Sequence, residues 1–165
     1  EYRSQGLIKA VGIGINQTEQ ALQIMEGTDL DIVLIAGRYS LLDQISHHKL
    51  FPYALARNID ISMGGVLNSG VLANPVAGAT YNYLPASDEI IARANKIGDF
   101  LKTRNIPLLA AALQFPLRHP AVTSVLTGTR TAAELLENVD AFNLELPADI
   151  WAELEDANLI ERIPA

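Results

Sequence analysis

A glycine turn followed by an arginine and a helix start is the chemically most informative segment of this 165-residue chain. Residues 127–130 read Thr-Gly-Thr-Arg, and Thr131 with Glu134 three residues later forms a capping box, which predicts a helix start. Free N–H groups at a helix start favour anions, especially phosphate, and the planar guanidinium of Arg130 suits the same ligand. From spacing alone, an ordinary strand-to-helix turn with a solvated Arg130 is the somewhat better account. The residues by themselves therefore leave both interpretations open.

Gly12 and Gly14 resemble the start of a dinucleotide-binding motif, but the third glycine of G-x-G-x-x-G falls on Gln17. The motif therefore fails. A strand that ends on small residues, where another group packs closely, is the better interpretation of these two glycines.

Ser69 stands before Gly70 and resembles the serine of a nucleophile elbow. That motif would need glycines where Leu67 and Val71 stand, so this interpretation fails as well. The backbone N–H groups of residues 64–70 could still surround an anion, which is a less specific prediction.

Two further pairs of side chains come between predicted elements. His47 and His48 have no third ligand at metal-binding spacing, so we expect a solvated loop pair and no metal site. Arg38 and Tyr39 directly follow a strand, where barrel enzymes place functional side chains. Tyr39 as the wall of a pocket and Tyr39 as ordinary packing both remain open.

Short apolar runs alternate with helical patterns along the chain. Strands are predicted over residues 9–15, 31–36, 60–63 and 122–126, and helices are predicted to begin after Asn16, Ser87 and Thr131. Further helices are predicted over residues 49–56 and 108–117 and from about residue 148. Residues 64–85 form a long Gly/Asn/Pro-rich connection, and loops of that length are usually functional or disordered.

This alternation predicts one α/β domain over residues 1–165, with a parallel sheet that is either doubly wound or part of a barrel. A (β/α) barrel needs eight strands and about 250 residues, so four βα units amount to half of one. The first residue is Glu1 rather than Met, which suggests an excised piece.

Composition narrows the functional classes. The 19 acidic residues outnumber the 12 basic ones and leave a formal charge of −7, which disfavours nucleic acid and anionic membranes as partners. The absence of cysteine excludes disulfides and thiolate metal sites and is compatible with a cytoplasmic location. No apolar run approaches the roughly 20 residues that span a bilayer.

Taken together, four segments resemble the C-terminal half of the aldo-keto reductase family, closest to its branch of aldose 1-dehydrogenases (L-fucose or D-threo-aldose) and pyridoxal 4-dehydrogenase. The segments are residues 9–16, 64–73, 113–122 and 127–138, of which the last two are the more specific. The resemblance covers essentially the whole chain. It implies strands five to eight of a (β/α)8 TIM barrel, with the N-terminal half absent.

The resemblance also assigns ten residues to an NADP or NAD site. It places Gly128, Thr129, Arg130 and Glu134 at the adenosine ribose or its 2′-phosphate, Glu137 and Asn138 at the adenine, and Gly65, Leu67 and Ser69 over the pyrophosphate. Where many members hold the carboxamide with a Ser-Asn pair, this chain has Gly14 and Ile15, and Asn16 is the substitute. The family's catalytic Asp, Tyr, Lys and His lie on the first four strands, so no catalytic residue is assigned here.

The resemblance therefore implies a fragment of an NAD(P)-dependent oxidoreductase that oxidises an aldose such as L-fucose at C1 to the lactone. Its partner would be a small sugar or aldehyde, and the isolated chain is expected to be inactive. The alternative is a non-catalytic half-barrel that binds nucleotide or phosphate, or that self-associates through its open sheet edges.

Overall fold

A four-stranded parallel sheet is the centre of the computed structural model, which describes residues 1–163. The strands are β1 (Gly12–Ile15), β2 (Ile32–Ala36), β3 (Asp60–Gly64), β4 (Thr80–Tyr81), β5 (Leu84–Pro85) and β6 (Val122–Leu126). The large sheet has the order β1-β2-β3-β6 with every pair parallel, and β4 and β5 form a separate antiparallel hairpin. A doubly wound sheet reverses its strand order at a switch point. This sheet keeps the chain order, which favours barrel-type winding.

Six α-helices accompany the strands. They are α1 (Thr18–Gly27), α2 (Leu50–Arg57), α3 (Asp88–Lys102), α4 (Leu108–Gln114), α5 (Ala132–Phe142) and α6 (Ile150–Asp156). Short 3-10 turns cover Ile45–His47, Asn68–Gly70 and Phe115–Arg118. Within residues 1–163, none of these helices has the length and apolar content needed to cross a bilayer.

Two of the three predicted helix caps are confirmed. Ser87 Oγ accepts a hydrogen bond from the N–H of Ile90 at 3.3 Å, and Thr131 Oγ1 accepts one from the N–H of Glu134 at 3.1 Å. The cap at Asn16 is wrong, because α1 begins one residue later with Gln17 as its N-cap. The Asn16 carbonyl instead accepts a hydrogen bond from Arg38.

The predicted helix over residues 108–117 is shorter than expected. Its α-helical part ends at Gln114, and Phe115–Arg118 tighten into a 3-10 turn. Pro116 explains the change, since proline has no N–H to donate and its ring clashes with the preceding helical turn.

Two buried phenylalanines of the core pack against the ring of Tyr39. The ring centroid of Tyr39 lies 4.9 Å from that of Phe51 and 4.9 Å from that of Phe115, and all three side chains are fully buried. Burial raises the pKa of the Tyr39 phenol. Of the two roles left open for Tyr39, the structure therefore supports ordinary packing.

The apolar face of α5 is exposed, although the sequence pattern predicts that it is buried. The apolar pattern suggests that Leu135, Leu136 and Val139 face inward, yet each is exposed, with 64% of Leu136 accessible. This helix follows β6, which pairs only with β3 among residues 1–163. The described part of the chain thus has nothing beyond β6 to cover these side chains.

Candidate functional site

A cleft of about 910 Å³ opens at the carboxyl ends of the four parallel strands. Parallel strands end at the same edge of the sheet, so the residues that follow them converge there, and ligands of α/β proteins bind at this edge. Asn16 follows β1, Gly37 follows β2, Gly65 follows β3 and Thr127 follows β6, and all four line the cleft. The volume lies in the range of small-molecule sites.

Nine of the ten residues that the resemblance assigns to a cofactor line this one cleft. They are Asn16, Gly65, Leu67, Ser69, Gly128, Arg130, Glu134, Glu137 and Asn138. Thr129 is not among the lining residues. The fold therefore brings together residues that are more than a hundred positions apart in the chain.

The loop between β3 and the β4–β5 hairpin forms one wall of the cleft and has an unusual backbone. Gly65, Asn68, Ser69 and Gly70 all have positive φ angles, of 61°, 46°, 61° and 107°. At Gly65 a Cβ atom would also come within 3.1 Å of the Gly37 nitrogen. This wall therefore needs glycine at position 65, both for its φ angle and for the close approach of the neighbouring backbone.

Asn68 holds this loop in place, although sequence reasoning did not single it out. Its side chain is 2% exposed, its Oδ1 accepts a hydrogen bond from Ser40 Oγ at 2.5 Å, and its Nδ2 donates to the Gly37 carbonyl at 3.5 Å. Both partners belong to the segment after β2. The only sequence signal was an asparagine in a Gly-rich loop, which tolerates a left-handed backbone.

Ser69 connects the same loop to the β4–β5 hairpin. Its Oγ accepts a hydrogen bond from the N–H of Tyr83 at 3.0 Å, and its carbonyl accepts one from Thr80 Oγ1 at 2.6 Å. The long connection over residues 64–85 is therefore folded around Ser69. Tyr83 also lines the cleft, so this hairpin forms part of its rim.

The turn between β6 and α5 forms the opposite wall. The N–H of Arg130 donates to Glu134 Oε2 at 2.8 Å, and Arg130 Nη2 donates to Glu134 Oε1 at 3.0 Å. These contacts, the backbone N–H first, hold the pKa of the Glu134 carboxyl below its ordinary value. Because the Arg130 side chain is 91% exposed and surface ion pairs are weak, its guanidinium can turn to an anion in the cleft.

Arg38 positions the residue that follows β1. Its Nε donates to the Asn16 carbonyl at 2.9 Å, and its Nη1 pairs with Asp43 Oδ2 at 2.9 Å. Sequence reasoning noted Arg38 for its place after a strand but did not assign it to the site. Both Arg38 and Asn16 line the cleft, so the contact fixes one end of it.

The cleft has room and chemistry for an elongated anionic ligand. A Cβ at Gly70 or at Gly128 would have no other atom within 4 Å, so the backbone is open at both walls. The exposed guanidinium of Arg130 suits phosphate groups. An α/β protein with this cleft at its strand ends is of the small-molecule-binding class.

The chain belongs to the aldo/keto reductase family, whose model matches residues 1–159. It is 43% identical over 161 residues to pyridoxal 4-dehydrogenase of Microbacterium luteolum, covering 97% of this chain and 47% of that protein. It is 37% identical over 162 residues to D-threo-aldose 1-dehydrogenase of a Pseudomonas species, covering 97% and 49%. Both relatives belong to the branch that the sequence resembles, so that resemblance is confirmed.

The fold is shared with solved structures of the family. The holo form of an aldo-keto reductase from Bacillus halodurans superposes with a TM-score of 0.75 at 21% identity, covering 97% of this chain and 53% of that one. The chain thus spans about half the length of the relatives it matches.

Proposed function

We propose that this chain is the C-terminal half of an aldo-keto reductase barrel and forms the NADP or NAD site of an oxidoreductase that oxidises an aldose, such as L-fucose, at C1 to the lactone. The observation that carries the proposal is the convergence of nine of the ten cofactor residues on one cleft at the strand ends. The relatives named for aldose and pyridoxal dehydrogenation support the substrate class.

In this proposal the two walls of the cleft hold different parts of the dinucleotide. The loop with Gly65, Leu67 and Ser69 covers the pyrophosphate with backbone N–H groups. The turn with Gly128, Thr129, Arg130 and Glu134 takes the adenosine ribose or its 2′-phosphate, and Glu137 and Asn138 contact the adenine. Asn16, held by Arg38, stands at the end where the carboxamide would bind.

A nicotinamide held by these residues would supply hydride-transfer chemistry at C1 of the sugar, and the proton of the C1 hydroxyl would leave to a base. The residues assigned to this chain bind and orient the dinucleotide, and the acid/base group is proposed to come from the first four strands of the whole barrel. In this scheme the chain carries affinity for the cofactor, and turnover needs the rest of the barrel.

Arg130→Ala is expected to weaken NADP binding by roughly 10- to 100-fold, because a charge-assisted hydrogen bond to phosphate contributes about 1.5–3 kcal/mol. NAD has no 2′-phosphate, so its affinity should change little. Titration of both nucleotides by calorimetry checks this, with Arg162→Ala as a control at an arginine that pairs with Asp156 outside the cleft. Equal affinities for NADP and NAD that are unchanged in Arg130→Ala would contradict the proposed contact.

The isolated 165-residue chain is expected to turn over no L-fucose with NADP or NAD, while a full barrel containing it should. Spectrophotometric detection of reduced nicotinamide checks this in a preparation free of the full-length enzyme. Measurable turnover by the chain alone would show that the catalytic groups lie within it.

A second candidate function is self-association of a non-catalytic half-barrel. Within residues 1–163, β1 and β6 each pair on one side only, and α5, the helix that follows β6, has exposed apolar side chains. Unpaired strands of this kind are templates for pairing with another copy. Light scattering tests this candidate function by measuring the molar mass in solution. Self-association predicts a dimer or a larger assembly, and a strict monomer would count against pairing through the sheet edges.

A further inference from the structure

His47, His48 and Glu161 form a cluster outside the cleft, although Glu161 lies 114 residues after His47 in the chain. Sequence spacing predicts a solvated histidine pair without a third ligand. The structure contradicts the solvation of His47, whose side chain is 3% exposed, and it places a carboxylate against both rings.

The geometry points to a binding site for one Zn²⁺ or a similar divalent transition-metal ion between these three side chains, and we propose that the ion joins the segment before α2 to the segment after α6. Both histidines direct Nε2 at the same oxygen, Glu161 Oε2, and each N···O distance is 3.0 Å. Tetrahedral ligands about 2.0–2.1 Å from Zn²⁺ lie roughly 3.3 Å apart. The two N···O separations are thus a few tenths of an ångström shorter than in a zinc site, and the three ligand atoms all lie within 4.8 Å of one another.

The ligand types also fit. Two imidazoles and one carboxylate form a set that Zn²⁺ uses with water in the fourth position. Imidazole favours Zn²⁺, Cu²⁺ and Ni²⁺, whereas Mg²⁺ and Ca²⁺ prefer oxygen ligands. The exposed side chain of His48 leaves one side of the cluster open for entry of the ion and for the water.

The cluster is held in place by the surrounding residues. Gln44 is buried, its Oε1 accepts a hydrogen bond from the N–H of Glu161 at 2.7 Å, and its Nε2 donates to the Ser40 carbonyl at 2.7 Å. The rings of His47 and His48 pack edge to face with their centroids 4.1 Å apart. Backbone and rings are thus positioned before any ion binds, which lowers the entropy lost on binding.

Arg93 and Arg162 also line this depression. Arg162 pairs with Asp156, whereas Arg93 donates to the uncharged Leu42 carbonyl, so the Glu161 carboxylate has to offset the charge of Arg93 when a cation binds.

The test is a Zn²⁺ titration of protein stripped with EDTA, without nucleotide, so that its outcome is independent of the proposed oxidoreductase function. We expect one Zn²⁺ per chain and a rise in Tm of roughly 5–10 °C at a free Zn²⁺ concentration of 100 times Kd. Ca²⁺ and Mg²⁺ at the same concentration should leave the Tm unchanged.

Glu161→Gln and His48→Ala are expected to weaken Zn²⁺ binding at least about 10-fold. Glutamine keeps the size of the side chain and an acceptor oxygen, and His48 is half exposed, so both variants should fold. Glu26→Gln, at an exposed carboxylate on α1, is the matched control and should bind as the wild type does. If Glu161 only accepts hydrogen bonds, Zn²⁺ will raise the Tm of neither the wild type nor the variants, and the proposal is overturned. Equal Zn²⁺ affinity in wild type and Glu161→Gln overturns it as well.

Discussion

Gly12→Ala is expected to lower the free energy of unfolding by about 1–3 kcal/mol, the range for an added methyl group in a closely packed site. A Cβ at this position would lie 2.5 Å from Ile32 Cγ2 and 2.6 Å from the Ile32 carbonyl oxygen. Gly12 pairs directly with Ile32 across β1 and β2, and β2 is itself paired to β3. The backbone of β2 therefore cannot move away without disturbing the sheet.

Gly14→Ala is the matched control on the same strand. There the nearest atom to an added Cβ is Leu34 Cδ2 at 4.0 Å, an ordinary contact. The loss of chain entropy in the unfolded state even favours alanine by about 0.4–1 kcal/mol, and it does so at both positions. Urea unfolding of the two variants measures the difference, and equal destabilisation would show that close packing at Gly12 is not the cause.

Asn68→Ala is expected to lower the free energy of unfolding by about 2–4 kcal/mol and to weaken nucleotide binding in the cleft. The change removes two hydrogen bonds from a buried side chain and leaves Ser40 Oγ and the Gly37 carbonyl without their Asn68 partner. A buried polar group without a partner costs about 1–3 kcal/mol. Alanine also tolerates the φ angle of 46° poorly.

Asn105→Ala measures how much of the expected loss of unfolding free energy comes from the backbone conformation alone. Asn105 has a φ angle of 57° but an exposed side chain, so this substitution should lower the free energy of unfolding by about 1–2 kcal/mol. A double-mutant cycle with Ser40→Ala isolates the contact, with an expected coupling of about 0.5–3 kcal/mol. No coupling in this cycle, or equal losses for Asn68 and Asn105, would show that the buried amide does not hold the loop.

Local sequence signals were sufficient to predict an element where its formation depends on residues within the element itself. The strand Val122–Leu126 and the capping bonds of Ser87 and Thr131 agree with prediction, because an apolar run and a cap are defined within a few positions. Close packing was predicted for both Gly12 and Gly14 but occurs only at Gly12. A sequence pattern does not contain the register of the neighbouring strand, which decides between the two.

Two other differences between prediction and structure also involve contacts with distant segments. Asn16 does not cap α1, and its carbonyl accepts a hydrogen bond from Arg38, which lies 22 residues away. The leucines of α5 follow an apolar helical stripe, but a stripe predicts burial only where a neighbouring element covers it. Among the described residues nothing covers it.

The sequence by itself determined the alternation of strands and helices, the helix start at Thr131 and, through its resemblance, the family. Only the tertiary structure decided that Asn68 anchors the wall of the cleft and that Glu161 meets His47 and His48. The physical reason is that hydrogen-bond and coordination distances depend on how distant segments are packed. Spacing along the chain reports only which residues share a strand, a turn or a helix face.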